Sequence, residues 1–218
     1  MAHAWNPVPQ DAMVLQQQLA ARVIRKSGID RAMVQTVGGV DVHYRNGWAT
    51  AAVVVVGIHT LATVEWVTSS TRCNFPYIPG LLTFREGPAV IEALAKLTSR
   101  PDLLIFDGQG IAHPRRCGLA SHIGVLLDTP AIGCAKTRLQ GQYEEPGPAK
   151  GDYTFLEDRM ETIGAVLRTR SGVKPVYVSI GHRIDLPDSI RIILQCCRRY
   201  RLPEPIRRAD RLAREKAQ

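Results

Sequence analysis

The stretch PDLLIFDGQGIAHPRRCG, residues 101–118, contains the pattern that decides the fold. Its continuous apolar run, residues 103–106, is typical of a short strand that is buried on both faces of a sheet. The run stops at a carboxylate, Asp107, and glycines, His113 and a basic pair follow. A buried strand that ends in an acid beside cations indicates that chemistry is carried out at that end of the sheet.

An antiparallel meander is predicted upstream of this strand. Residues 34–44, 48–58 and 61–70 read as three successive strands, rich in β-branched residues. The dipeptide Asn46-Gly47 is the strongest hairpin signal known, and His59-Thr60 makes a second short turn. The three strands therefore lie side by side before the chain reaches residue 101.

Alternating helices and strands account for most of the remaining chain. Helical spacing is found in residues 9–27, 86–99, 120–127, 188–200 and 207–216. Further strands are predicted at residues 131–135, 163–169 and 176–180. Residues 140–152 are predicted to form a surface loop. The sequence predicts an α/β fold with a mixed central sheet, an antiparallel three-strand meander and flanking helices, in a single domain over residues 1–218.

Composition narrows the class of protein. The 218 residues carry a formal charge of +8 and a pI near 9.5, which makes a polyanionic partner plausible. No apolar run reaches the ~18–20 residues that span a bilayer, and the N-terminus lacks a secretory pattern. The five cysteines are odd in number and show no C-x-x-C spacing, so we expect reduced thiols and a cytoplasmic location. We also expect no membrane contact, and a monomer, although the sequence itself gives no oligomeric state.

Three acids stand at unusual positions. Asp41 lies inside the first strand, where acids are disfavoured, Glu86 opens a helix and Asp107 closes the buried strand. Each also has an ordinary explanation. Asp41 could face solvent, Glu86 could favour a helix N-terminus, and Asp107 could cap the next helix.

Taken together, the acids predict a metal site. The first strand of the meander and the strand at 103–106 can be neighbours in a mixed sheet, which would place Asp41 beside Asp107. Adjacent carboxylates repel unless a cation lies between them, and oxygen ligands suit Mg²⁺ or Mn²⁺. Glycines would let a phosphate backbone approach, and His113, Arg115 and Arg116 would meet the anion.

The sequence also resembles a known family, endonuclease V, along nearly its whole length, from about residue 36 to residue 215. The segments that carry the resemblance are VGGVDVHY, FPYIPGLLTFREGPAV, PDLLIFDGQGIAHPRRCGLASHIG, PAIGCAKTRL, VYVSIGHRIDL and PEPIRRADRLARE. The resemblance implies a ribonuclease H-like fold. It also implies a DNA-repair endonuclease that recognises deoxyinosine and cleaves the second phosphodiester bond 3′ to the lesion with Mg²⁺, for which Mn²⁺ could substitute.

The resemblance assigns roles to individual residues. Asp41, Glu86 and Asp107 match the metal-binding acids, Lys136 a lysine beside the scissile phosphate, and Asp210 a fourth catalytic position. Tyr77 matches a wedge residue that enters the helix beside the lesion. Residues matched to substrate binding are Tyr77, Gly80, Leu82, Gly108, His113, Gly118, Ala135 and Leu139.

Several of these roles have alternatives. Asp210 could be an ordinary surface acid among arginines, Lys136 a solvated cation after a strand, and Tyr77 a loop anchor packed into the core. His182, in the segment S-x-G-H, is interpreted as structural. The same site could serve inosine-containing RNA, and a non-catalytic nucleic-acid-binding module is the alternative of a different class.

Overall fold

A computed structural model describes residues 3–30 and 33–217. It contains eight strands and five helices in these described ranges. They are α1 (Pro9–Ala20), β1 (Thr36–Arg45), β2 (Trp48–Gly57), β3 (Thr63–Arg72), α2 (Thr83–Ala95), β4 (Leu103–Phe106), α3 (Leu119–Leu127), β5 (Ala131–Ala135), β6 (Tyr153–Asp158), β7 (Glu161–Leu167), β8 (Val176–His182), α4 (Leu186–Gln195) and α5 (Glu204–Lys216).

All eight strands belong to one mixed sheet in the order β3-β2-β1-β4-β5-β8-β7-β6. The pairs β1–β4 and β4–β5 are parallel, and the other neighbours run antiparallel. The strand that the sequence placed at the centre, β4, lies between β1 and β5 and is buried throughout. The predicted α/β, ribonuclease H-like fold with its antiparallel meander is confirmed.

The first turn of the meander has the predicted geometry. Arg45 pairs with Trp48 across the two-residue loop, so the loop consists of Asn46 and Gly47 alone. Both residues have positive φ angles, 50° and 79°, which is what a type I′ turn requires. The local sequence therefore sets the register of β1 against β2.

Helices cover both faces of the sheet. On one face, apolar side chains of α4 and α5 pack against β1, β2, β5, β7 and β8. On the other face, α2 and α3 pack against β1, β2 and β4. Since β4 contributes to both clusters, its continuous apolar sequence follows from burial on two sides.

Gly39 in β1 lets the sheet and α5 come into close contact. A Cβ atom at Gly39 would lie 2.2 Å from the backbone carbon of Pro205, in the first turn of α5. Only a residue without a side chain fits there. Gly39 thus lets the N-terminal turn of α5 lie on β1, two residues before Asp41.

Some predicted boundaries are wrong. The first helix ends at Ala20 rather than at residue 27, because the chain beyond it bonds to the end of β8: Arg183 N–H donates to the Ile24 carbonyl and Gly28 N–H to the Arg183 carbonyl. α4 ends at Gln195 rather than at residue 200, and the Cys196 carbonyl accepts from Glu204 N–H of α5. Strand β6 lies in a part of the chain for which no strand was predicted.

Candidate active site

Two predicted acids meet where β4 ends. Val40 of β1 is paired with Phe106 of β4, so the next residues, Asp41 and Asp107, follow at the same point of the parallel pair. The Asp107 N–H donates to the Val40 carbonyl at 3.0 Å, which continues the ladder for one more residue. This confirms that the two carboxylates are neighbours, and Asp107 does not cap the next helix, whose N-cap is Gly118.

A third acid comes from α5. Carboxylate oxygens of Asp41, Asp107 and Asp210 all lie within 4.8 Å of one another. Asp210 reaches this place because its helix begins in contact with Gly39 and then runs past β1. Asp210, whose role was expected from family resemblance alone, thus belongs to the carboxylate cluster.

Glu86 stands beside these three acids rather than among them. It lies in the first turn of α2 and is only 7% exposed. Burial, together with the nearby charges of Asp41 and Asp107, raises the pKa of Glu86 to about 8. The predicted metal set was Asp41, Glu86 and Asp107; the tightest group of oxygen atoms has Asp210 in place of Glu86.

The cluster holds more negative charge than the protein alone stabilises well. Burial and the Asp107 carboxylate raise the pKa of Asp41 to about 8. Lys136, directly after β5, forms an ion pair with Asp107, and its Nζ lies 3.5 Å from Asp210 Oδ1. One ammonium group among four carboxylates leaves a strong preference for a further cation, and an all-oxygen donor set fits a hard divalent ion.

A pocket of about 370 Å³ opens next to the carboxylates. Asp107, Glu86 and Lys136 form part of its wall. All eight predicted substrate-binding residues line it as well: Tyr77, Gly80, Leu82, Gly108, His113, Gly118, Ala135 and Leu139. The residues that resemblance assigned to one ligand therefore surround one cavity, although they come from three separate segments of the chain, residues 77–82, 108–118 and 135–139.

Tyr77 is presented to solvent at this pocket. Its side chain is 72% exposed, so the alternative that it packs into the core is wrong. Leu82 and Leu139 are also exposed, at 38% and 45%. Three exposed apolar side chains at the wall of one pocket suit contact with flat, apolar faces such as nucleobases.

His113 uses both ring nitrogens inside the protein. Arg115 N–H donates to Nδ1 at 3.1 Å, so Nε2 carries the proton and donates to the Gly80 carbonyl at 2.9 Å. Burial and the charge of Arg115 lower the pKa of His113 to about 4, so the ring is neutral. His113 thus shapes the pocket wall by fixing Gly80.

Gly108 leaves space at the pocket. Its N–H already donates to the Phe106 carbonyl at 2.9 Å. A Cβ atom there would meet nothing closer than Leu119 at 3.7 Å, so packing within the protein does not require glycine. By contrast, Gly118 touches the Gln109 backbone, where a Cβ would lie 2.3 Å from the carbonyl oxygen. Gly108 therefore widens the cavity and Gly118 closes the loop behind it.

The S-x-G-H segment supports this loop from behind. Ser179 Oγ accepts from Gly110 N–H at 2.8 Å. His182 Nδ1 accepts from Ile24 N–H, and its Nε2 faces Asp128 Oδ1 at 3.1 Å. His182 does not line the pocket, and these contacts agree with the structural interpretation of that residue.

Arg115 and Arg116, which were expected to meet the anion, are not among the residues that line the pocket, and both have partners within the protein. Arg116 is bound between Asp158 and Glu161, with nitrogen–oxygen distances of 2.7 Å to each. Arg115 donates to the Gly80 carbonyl and to the side chain of Gln16. Both guanidinium groups hold the protein together, a use that the dipeptide itself does not reveal.

The arginines of α5 are also paired within the protein. Arg207 and Arg208 contact Glu204, Arg211 contacts Glu215 and Arg214 contacts Asp210. Arg208 additionally donates to the Leu61 carbonyl at 2.7 Å.

Two glutamines of the site region escaped the sequence analysis. Gln109 lines the pocket, and its amide donates to the Thr137 carbonyl at 3.0 Å. Gln16 of α1 is fully buried and bonds to the loop that carries Tyr77. Gln109 lies two residues after the strand-ending acid, which is a usable signal, whereas Gln16 is one of three consecutive glutamines and has none.

The fold and the site together define a class, the nucleases that act through a carboxylate cluster. The chain belongs to the Endonuclease V family, whose family model matches residues 17–211. It is 50% identical to an endonuclease V of Roseiflexus over 209 residues, which cover 96% of this chain and 93% of that protein.

Solved structures give the same result. The crystal structure of endonuclease V from Streptomyces avermitilis superposes with a TM-score of 0.93 at 43% identity and covers 99% of this chain and 95% of that one. Endonuclease V of Ciona intestinalis, solved with a DNA that contains an inosine followed by a ribo-adenosine, superposes with a TM-score of 0.83 at 28% identity, covering 95% and 96%.

Two further predictions concern the chain as a whole. All five cysteines are free, as expected from their spacing. Within residues 3–30 and 33–217, no helix is long and apolar enough to cross a bilayer.

Proposed function

We propose that the protein is a Mg²⁺-dependent DNA-repair endonuclease that recognises deoxyinosine, that is, a hypoxanthine base. It hydrolyses the second phosphodiester bond 3′ to the lesion and leaves 3′-hydroxyl and 5′-phosphate ends. The observation that supports this most strongly is that the pocket adjoins the carboxylate cluster: Asp107 belongs to both, and Glu86, beside the cluster, also lines the pocket.

The carboxylates are proposed to hold the metal. Asp41, Asp107 and Asp210 offer oxygen atoms within 4.8 Å of one another, and Glu86 completes or orients the site from α2. When bound there, Mg²⁺ or Mn²⁺ would supply Lewis-acid stabilisation of the phosphate charge and activation of a water molecule. Burial of Glu86 and Asp41 raises their pKa values, which a divalent cation would reverse.

Lys136 is proposed to bind the scissile phosphate. Its ammonium group is half-buried beside Asp107 and Asp210 and lines the pocket. A phosphate oxygen that approaches this point would find the cation already held in place, so little side-chain entropy remains to be lost. The lysine thereby fixes the phosphate relative to the carboxylates.

The pocket is proposed to take the lesion base. Tyr77 would enter the stack and replace contacts that are lost when the nucleotide leaves the helix. The space left open by Gly108, and the wall formed by Gly80, Gly118 and Ala135, would then enclose the base. Leu82 and Leu139 would contact the flanking nucleotides.

A Mg²⁺ titration on an inosine-containing duplex tests the proposal against a non-catalytic binding module. We expect cleavage that rises with Mg²⁺ and is absent in EDTA, with an undamaged duplex as the matched control. Binding without cleavage at any Mg²⁺ or Mn²⁺ concentration would contradict an enzymatic role.

Inosine-containing RNA is the second candidate substrate. The Ciona relative was solved on a strand whose inosine precedes a ribo-adenosine, so a ribose at that position is accepted by a protein with this fold. Three otherwise identical strands, all DNA, DNA with one ribonucleotide after the inosine, and all RNA, separate the candidates. We expect the all-DNA strand to be cleaved fastest.

The remaining expectations belong to the same proposal. One sheet contains all eight strands of the described chain, which supports action as a single domain. Five free cysteines support a reducing, cytoplasmic setting. We propose a monomer, because one chain supplies the whole acid cluster and the pocket.

A further inference from the structure

The buried side chain of Gln16 joins α1 to the loop that carries Tyr77. Its residue is 0% exposed, which is rare for a polar side chain in a helix. The amide nitrogen Nε2 donates to the carbonyl oxygens of Gly80 and Cys117, each at 3.0 Å. The amide oxygen Oε1 accepts from Arg115 Nε at 2.6 Å. One side chain thus links three points on two loops around the pocket.

These bonds converge on one carbonyl group. The oxygen of Gly80 accepts from Gln16 Nε2, from His113 Nε2 at 2.9 Å and from Arg115 at 2.8 Å. Gly80 has a φ of +79°, and a Cβ atom there would lie 2.8 Å from the Arg115 guanidinium. The orientation of the Gly80 peptide is therefore determined by three donors, and Gly80 itself lines the pocket.

The loop needs such support because its tip is exposed. Tyr77 is 72% exposed, whereas Phe75 and Leu81 on either side of it are buried. The loop's own backbone bonds include Leu81 N–H to Ile78 at 2.9 Å and Phe84 N–H to Leu81 at 3.1 Å. An exposed aromatic ring can replace stacking only if the backbone beneath it is held in position.

We propose that Gln16 is a positioning residue for lesion recognition, which sets the geometry of the Tyr77 loop through Gly80 and Arg115. This inference rests on the proposed function for its activity readout. Loss of the side chain would leave Tyr77 present but incorrectly placed, so discrimination between inosine and adenine would fall even in a folded protein.

The test substitutes Gln16→Leu, with Gln18→Leu on the same helix as the control, because Gln18 is exposed. We expect Gln16→Leu to lower the ratio of inosine to adenine cleavage by about tenfold to a hundredfold, as misplacement of a positioning group does. Gln18→Leu should leave the ratio unchanged. An unchanged ratio in folded Gln16→Leu would overturn the proposal.

A double-mutant cycle shows whether Gln16 acts on lesion recognition through the Tyr77 loop. If Gln16 acts through the Tyr77 loop, Gln16→Leu should cost little once Tyr77→Ala is present, because the ring that it positions is gone. Equal fold-losses from Gln16→Leu in both backgrounds would show that Gln16 acts elsewhere and would contradict the inference.

Hydrogen exchange gives a readout that does not depend on activity. We expect Gln16→Leu to accelerate exchange at Leu81 and Phe84 while the amides of β1 keep their protection. If Gln16→Leu does not fold, the isosteric Gln16→Glu, which can accept from Arg115 but not donate to Gly80, takes its place. Unchanged loop exchange would overturn the positioning role. If the wild-type protein does not distinguish inosine, but Gln16→Leu still accelerates exchange at Leu81 and Phe84, only the proposed function is contradicted.

Discussion

At the scale of single residues, the site depends on side chains that are kept in costly positions. Glu86 is buried although it is acidic, and Asp41 and Asp107 lie side by side. Tyr77 and Leu139 are exposed although they are apolar. The buried acid and the exposed apolar side chains oppose the ordinary partition of polar and apolar groups, and the paired carboxylates repel each other. All of these residues except Asp41 line one pocket. Cation binding at the acids and base stacking at the apolar residues would relieve both kinds of cost.

Substitution of Tyr77 tests its role as a wedge. Tyr77→Ala should weaken binding to inosine DNA by most of the ~1–3 kcal/mol that one aromatic–base stack provides. It should also reduce the preference for inosine over adenine, whereas Tyr77→Phe keeps both because the ring remains. Since the side chain is 72% exposed, the melting temperature should not change. Tyr77→Ala with full lesion preference would end the wedge hypothesis.

At the scale of elements, the contact between β1 and α5 positions the third carboxylate. Gly39→Ala would place a Cβ atom 2.2 Å from the Pro205 backbone, so α5 must move away from the sheet. We expect a loss of about 1–3 kcal/mol in the free energy of unfolding, as for overpacked cores, and a lower cleavage rate because Asp210 shifts.

Gly38→Ala is the matched control for this experiment. A Cβ atom there would meet side-chain atoms of Leu104 and Pro101, at 2.8 and 3.0 Å, and no α5 backbone. It should cost stability with a smaller loss of activity. Equal losses of activity at equal stability would show that the contact with α5 does not position Asp210.

The arginines of the basic helix α5 would suit contact with DNA phosphates, but ion pairs within the protein already engage them. Arg208 is held by Glu204 and by the Leu61 carbonyl, and Arg211 by Glu215. The double variant Arg208→Ala, Arg211→Ala should therefore leave the slope of log K against log [salt] for undamaged DNA nearly unchanged. Two lost phosphate contacts would instead reduce the slope by about 2, and that result would return α5 to the binding surface.

Elements with a strong local signal could be predicted from the sequence. The strand at residues 131–135 is correct to the residue, and the Asn46-Gly47 turn has the predicted geometry. The strand β6 was missed because its sequence, YTFLED, does not alternate apolar with polar residues: Tyr153 and Phe155 are exposed, and Leu156 is its buried residue. The end of α1 was misplaced because hydrogen bonds to Arg183, distant in sequence, decide it.

The candidate site was predictable to a similar degree. Adjacency of Asp41 and Asp107 follows from strand order, and the structure confirms it. Asp210 carries no signal of its own in a basic helix, and its position depends on how α5 crosses β1. The roles of Arg115, Arg116 and Gln16 are set by long-range contacts, which neither residue type nor spacing indicates.

At the scale of the whole molecule, stability should depend on pH and on metal. The pKa values of Asp41 and Glu86 are raised to about 8, so the native state retains protons that the unfolded chain releases near pH 4. Their contribution to the stability of the native state is fully present below pH 4 and is lost as the pH rises through 8. Urea unfolding in EDTA should therefore show lower stability at pH 8.5 than at pH 6.5.

Mg²⁺ should reduce this loss of stability at alkaline pH, because a bound cation stabilises the ionised carboxylates. Glu86→Gln is the matched variant: it removes one of the two titrating groups, so its stability in EDTA should fall less steeply above pH 6.5. A wild-type profile that is flat in EDTA, or that Mg²⁺ does not alter, would argue against a metal site at these acids.

The most direct test compares wild-type protein with Asp107→Asn on a duplex that contains one inosine, with the cut mapped at nucleotide resolution. The wild type should cleave, only with Mg²⁺ or Mn²⁺, at the second phosphodiester bond 3′ to the inosine. Asp107→Asn should fold, bind the same duplex and not cleave it, because the substitution removes one charge and almost no volume. Substantial metal-dependent cleavage by folded Asp107→Asn, or a wild-type cut unrelated to the inosine, would contradict the account.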